Sequence, residues 1–161
     1  MQEMSIYGVS FDVGAKQPIV LLKTVNDNKF LPIWIGSSEA TAILMKLQGV
    51  ETPRPMTHDL LSNVVAGLDA EIARITVTEL RDNTFFALIT LRVQATEIEI
   101  DSRPSDALAL AVRANAPIYV ADRVIEESAL NIADGQIGDT EDVVEAFKAF
   151  LDEVNPEDFA G

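Results

Sequence analysis

Apolar positions fall at Ile6, Val9, Phe11 and Val13, and a continuous apolar run follows over residues 18–22. Both patterns predict strands. The cluster Asn26-Asp27-Asn28 marks a turn, and residues 30–35 resume the sheet. From Gly36-Ser37-Ser38-Glu39 the period changes. Ala40, Ile43, Leu44 and Leu47 have helical spacing, a Ser cap opens the helix and Gly49 stops it. Past Pro53-Arg54-Pro55, Thr57 is placed to cap a short helix whose Leu60, Leu61, Val64, Val65 and Leu68 form a stripe to be buried. Residues 71–80 and 84–93 read as a hairpin about Arg81-Asp82-Asn83, and residues 96–101 add a strand. Pro104 suits the first position of a helix reaching about Ala114, and residues 117–120 form a short strand. Thr140 is expected to cap a last helix facing Val143, Val144, Phe147 and Leu151 to the core, with Pro156 at its end. Phe85 and Phe86 are assigned to the core. Trp34 is read as a packing aromatic rather than a base-stacking platform.

Strand runs broken by helices favour an α+β fold: a mainly antiparallel β-sheet with helices packed against it, in a single compact domain. The body of the domain is placed at residues 1–135. Residues 136–161 form an acidic helix and tail packed on the same domain. At 161 residues the chain can bury a sizeable core. Hydrophobic residues at 48% and charged residues at 24% describe a folded globular chain rather than a disordered one.

Charge and composition narrow the chemistry. With no Cys, disulfides, zinc–thiolate sites and thiol catalysis are excluded. No apolar stretch has membrane-spanning length, and the N-terminus lacks the plan of a signal peptide, so a cytoplasmic location is expected. The formal net charge of −14 opposes a polyanion. Nine of the acids and one base lie in residues 134–158. That run reads as a solvated face, available to a protein partner. Any contact with nucleic acid must therefore be local or carried by a divalent cation.

Walker loops, GxGxxG, GxSxG and HExxH patterns are all missing. Three segments nevertheless share a plan, an extended stretch running into a helix with polar residues in its first turn. They are Gly36-Ser37-Ser38-Glu39, Arg54-Pro55-Met56-Thr57-His58-Asp59 and Asp101-Ser102-Arg103-Pro104-Ser105-Asp106. Unpaired N–H groups and the helix dipole favour an anion at such starts, and an arginine adds bidentate support. Carboxylates there stay ionised, as a Mg²⁺ or Mn²⁺ site requires. His58 is disfavoured as an imidazolium and so serves as a base or a ligand. The same acids also have a plain structural use, since each stabilises its helix by about 0.3–1 kcal/mol through the dipole.

Two blocks carry a family likeness. Leu31-Pro32-Ile33-Trp34-Ile35-Gly36, Glu39-Ala40 and Pro53-Arg54-Pro55-Met56-Thr57-His58-Asp59-Leu60-Leu61 make up the first. Asp101-Ser102-Arg103-Pro104-Ser105-Asp106-Ala107-Leu108-Ala109-Leu110-Ala111 with Ala116-Pro117-Ile118-Tyr119-Val120 makes up the second. Together they resemble the bifunctional nuclease domain family over most of the chain. The resemblance implies a compact α+β domain cleaving both DNA and RNA, and homo-oligomers. Its motif positions fall on Glu39, Arg54, Thr57, His58, Asp59, Arg103, Ser105 and Asp106.

The leading expectation is phosphodiester hydrolysis with metal assistance. Asp59, Asp106 and Glu39 would hold one divalent ion, Arg54 and Arg103 would clamp the phosphate, and His58 would move the proton. Asp59 and Asp106 thus count among both the catalytic and the metal residues. Two other readings stay open. One is a non-catalytic regulatory or ligand-binding domain with an anion-binding pocket. The other is a metal-free hydrolase working through His58 and Arg54.

Overall fold

Strands β1 (Gln2–Asp12), β2 (Gln17–Thr24) and β3 (Lys29–Trp34) form an antiparallel meander in the computed structural model, which describes residues 1–131. Pro18, Ile19, Val20, Leu21 and Leu22 of β2 are all buried, so the strand reads as one apolar run instead of an alternation. Helices α1 (Ser37–Leu47) and α2 (Thr57–Gly67) follow, then β4 (Ala70–Arg81), β5 (Thr84–Val93) and β6 (Thr96–Ser102). Asp82 and Asn83 join β4 to β5 with φ of 49° and 56°, the doubly positive pattern of a type I′ turn. The remaining elements are α3 (Pro104–Ala114), β7 (Ile118–Val120), α4 (Asp122–Ser128) and β8 (Leu130–Asn131).

The eight strands make one sheet in the order β6-β5-β4-β7-β1-β2-β3-β8. Every neighbouring pair is antiparallel except β4 and β7. The α+β class with a mainly antiparallel sheet is therefore the observed one. Helix α3 is the hub. Residues Pro104, Ser105 and Ala107 through Ala111 are buried, with alanines letting the helix lie close to the sheet. Leu108 and Leu110 enter a core that includes Val20, Leu22, Leu31, Ile43, Ile75 and Val120. Both α1 and α2 pack against α3, so their first turns are set by its position.

Several expectations need correction. Thr57 is the first helical residue of α2 and Met56 holds the cap position; likewise Gly36, not a serine, caps α1. Leu60, Leu61, Val64 and Leu68 are exposed rather than buried, Leu68 at 71%. Only Val65 of that stripe packs against the core. The helix meets α3 and β4 along one edge, so its period marks an apolar face that the described residues leave uncovered. Phe85 and Phe86 are half-buried; Phe85 borders the core and Phe86 lies beneath the Arg81 guanidinium, 4.5 Å from the ring centroid. Trp34 is also half-buried. Helix α4 and the short β8 were not anticipated. The helix from Thr140 and the division at residue 135 lie outside the described residues. Among the described residues, no helix is long and apolar enough to cross a membrane.

This packing predicts opposite responses at two leucines. Leu108→Ala should lower the unfolding free energy by about 2–5 kcal/mol, as for a filled core site. Leu68→Gln should change it by no more than about 0.5 kcal/mol. Equilibrium urea denaturation reads both, and a Leu68 cost matching that of Leu108 would restore the buried stripe.

Candidate functional site

Among the described residues, each of the three eleven-residue helices carries an acid three residues past its cap: Glu39 after Gly36, Asp59 after Met56 and Asp106 after Arg103. This position faces back over the helix start, where a carboxylate finds unpaired N–H groups and the positive end of the dipole. Asp59 uses it directly, its Oδ2 accepting the Met56 backbone N–H at 3.0 Å.

The three starts converge. Asp106 lies between α2 and α3, with Oδ1 2.8 Å from His58 Nε2 and Oδ2 accepting from Arg103 Nε at 2.8 Å. Arg103 Nη2 donates to Glu39 Oε1 at 3.0 Å, which draws the start of α1 into the same cluster. Gly36 permits this, because a Cβ there would collide with the Glu39 carboxylate folded back over the turn. Behind the cluster sits Arg113, near the end of α3 and only 7% exposed. Its Nε donates to Asp59 Oδ1 at 2.7 Å, Nη1 to the Ala109 carbonyl at 2.7 Å and Nη2 to the Ala42 carbonyl at 3.2 Å. One guanidinium thus ties α1, α2 and α3 together.

These side chains line a cavity of about 350 Å³ that also receives Lys46 and Met56. His58 is 12% exposed within it, whereas the Arg103 side chain is 66% exposed. The Met56 N–H and then Arg113 hold the Asp59 carboxyl below its ordinary range. Asp106 first, and Glu39 after it, push Arg103 further toward its charged form. Around His58 the geometry is that of an oriented base. With its proton on Nε2 and bonded to Asp106, Nδ1 carries the lone pair and makes no hydrogen bond among the described residues.

Of the motif residues singled out in the sequence, Glu39, Thr57, His58, Asp59, Arg103 and Asp106 line this one cavity, whereas the buried Ser105 does not. Arg54 does not line it. It is exposed in the loop between its two prolines, and its carbonyl rather than its guanidinium is engaged, accepting from Thr52 Oγ1 at 2.7 Å. The three carboxylates are also turned differently from a metal site. Both oxygens of Asp59 and both of Asp106 face donors, and Glu39 faces Arg103. Among the described residues no three of His, Asp and Glu come together as a metal-holding group. As arranged here, each of the three carboxylates has an arginine on one oxygen, and the set forms no metal-holding group. Lys46 and Arg113 were missed; each sits in the last turn of its helix, where a base reads simply as a partner for the dipole.

A model of the bifunctional nuclease domain matches residues 20–133, a span that contains the whole cavity lining. The chain belongs to the bifunctional nuclease domain family. An uncharacterized protein of Mycobacterium tuberculosis is 41% identical over 165 residues, covering 99% of this chain and 98% of that protein. Bifunctional nuclease 1 of Oryza sativa subsp. japonica is 23% identical over 124 residues, 75% of this chain but 38% of its own length. Bifunctional nuclease 1 of Arabidopsis thaliana is 28% identical over 110 residues, 66% of this chain and 34% of its own length. The likeness to proteins bearing the nuclease name thus extends over little more than a third of them.

The lowered carboxyl of Asp59 makes a signed prediction for this bifunctional nuclease domain. Its ordinary value is 3.8 and the folded value lies below that. The Asp59 contribution is therefore fully present above the ordinary value, where the group is ionised in both states. It is lost as pH falls through the folded value, because the unfolded chain takes up the proton first. Wild type should accordingly be more stable than Asp59→Asn at pH 6, with the gap closing between roughly pH 5 and pH 2. Thermal or urea unfolding across that range measures it; a gap independent of pH would remove the ionic role.

Proposed function

We propose that this domain hydrolyses phosphodiester bonds in DNA and RNA, with His58 and Asp106 as its proton-transfer pair and Arg103 as its phosphate clamp. The observation that carries the reading is the Asp106 carboxylate, which bridges His58 and Arg103 at 2.8 Å on each side at the wall of one cavity. Asp106 fixes the imidazole tautomer and stabilises the imidazolium as it forms. His58 Nδ1 takes a proton from water while the water oxygen bonds to phosphorus. The P–O bond to the leaving oxygen then breaks, and the imidazolium returns the proton to that oxygen. Arg103 Nη1 is not used in its contacts with Asp106 and Glu39, which leaves donors for the equatorial phosphoryl oxygens. Asp59 and Arg113 hold the helices rather than the substrate.

Because the carboxylates are paired with arginines, no step is routed through a divalent ion. The reading draws further support from family membership and from the two plant relatives named as nucleases. A second reading, an anion-binding regulatory domain without turnover, is favoured by the net charge of −14. The two predict different outcomes in one experiment. Single-stranded DNA and RNA are incubated with wild type, His58→Ala, Asp106→Asn and Arg103→Met, all purified identically and verified as folded. Under the nuclease reading His58→Ala and Asp106→Asn lower kcat by about 10²–10⁴-fold, and EDTA leaves the wild-type rate unchanged. Equal activity in all four preparations would assign it to a contaminant. Loss in EDTA restored by Mg²⁺ or Mn²⁺ would put an ion into the mechanism.

A further inference from the structure

A second cavity of about 470 Å³ adjoins the first, and Arg103 lines both. Its walls have a different character. Trp34 from the end of β3 and Phe85 from β5 supply aromatic surface, Pro104 adds an apolar floor, and Gln17 and Asn83 bring side-chain amides. The indole is fixed, since Nε1–H donates to Asp12 Oδ2 at 3.2 Å while Asp12 Oδ1 accepts the Gly14 and Ala15 backbone N–H groups. Asn83 is held at the hairpin tip by its positive φ of 56°. The volume falls in the range of small-molecule sites.

We infer that this cavity is a nucleobase subsite, which takes an unpaired base of the strand whose phosphate lies on Arg103. The inference rests on the nuclease reading for its substrate class and adds what that reading lacks, a source of affinity. At a net charge of −14 the chain cannot draw binding from broad counterion release. Stacking on aromatic rings needs no positive field and accepts any base, because every base has a π-face. Amides beside the rings can donate to and accept from a base edge. A base can enter only if it is unpaired, so the substrate is single-stranded nucleic acid or a frayed end. With one arginine meeting phosphate at the junction, binding should depend weakly on salt. The slope of log K against log salt should be about −0.7, rather than the steep value of a basic groove.

The chain has one tryptophan, and it lines this cavity, so its fluorescence is a probe of occupancy there. Wild type is titrated with thymidine dinucleotide and, separately, with ribose phosphate, and cleavage of a single-stranded oligonucleotide is measured in parallel. The expected result is saturable quenching of Trp34 by the dinucleotide and none by ribose phosphate. Phe85→Ala should raise KM for the oligonucleotide about tenfold, the loss falling on KM rather than kcat. Equal quenching by both probes would overturn base recognition. Absent quenching, with cleavage by wild type intact and lost in His58→Ala, would overturn the subsite and leave the nuclease reading standing. Quenching by the dinucleotide without any cleavage would do the reverse, keeping a nucleotide-binding subsite and discarding the hydrolase. If Phe85→Ala fails to fold, the wild-type titration decides by itself.

Discussion

The Arg113 guanidinium is the fixed point of this architecture. It is almost wholly buried and touches α1 through the Ala42 carbonyl, α2 through Asp59 and its own helix through the Ala109 carbonyl. A buried cation is tolerated only when its donors are met, and here three of them are. The geometry leaves little freedom, because a planar fork satisfies three acceptors only when they stand in the right directions. Helix rotation or sliding by a fraction of a turn would break at least one contact. Everything at the cavity mouth inherits its placement from that constraint. The first turn of α2 is locked by Asp59, which spends its other oxygen on the Met56 N–H. That places His58, one residue earlier, against Asp106.

Acids at the helix starts serve both stability and the site. Treated singly, Glu39, Asp59 and Asp106 are ordinary partners for a helix dipole, and each retains that role. Their meeting at one place adds something the dipole does not require, which is a chain of hydrogen bonds running Glu39–Arg103–Asp106–His58. Exposure separates the members. Glu39 and His58 are mostly covered, whereas the Arg103 side chain is two-thirds exposed at the junction of two cavities. The covered members orient the exposed one, which on the proposed reading meets the phosphate. Exposed ion pairs contribute about 0–1 kcal/mol to stability. Arg103 is therefore held in place more than it holds the fold together.

Much of this was legible in the sequence because it is local. The turn at Asp82-Asn83, the proline opening α3 and the acids of the first turns are features of a few adjacent residues, and all were read from them. Glu39, Asp59 and Asp106 were also correctly grouped by their shared position. What they face was not legible, since their partners lie far along the chain: Arg113 is 54 residues from Asp59, and Arg103 is 64 from Glu39. Arg113 carries no local sign of its use. The α2 stripe failed for a related reason. Periodicity shows that a helix has an apolar face but not that something covers it, and Leu60, Leu61, Val64 and Leu68 remain exposed among the described residues. Helix α4 escaped because seven residues with two buried apolar positions, Val124 and Ile125, are too few to establish a period. Arg54 shares a motif with residues of the cavity lining but is not itself part of that lining.

The overall acidity and the anion-binding cavity proposed above are compatible once distance is considered. Charges on opposite faces of a domain act through water and salt, and at physiological ionic strength the screening length is about 8 Å. Lys46, Arg103 and Arg113 line the cavity itself, and low-dielectric walls strengthen what they contribute there. The wider surface then acts on the approach of a substrate more than on its bound state. On the proposed nuclease reading it slows encounter with a long polyanion and does little to a short end seated against Arg103. On the proposed nuclease reading, such a charge distribution disfavours long duplex relative to short single strands, in the same sense as the unpaired-base requirement of the second cavity. That bias follows from the contrast between a net charge of −14 and arginines held by carboxylates at one recess.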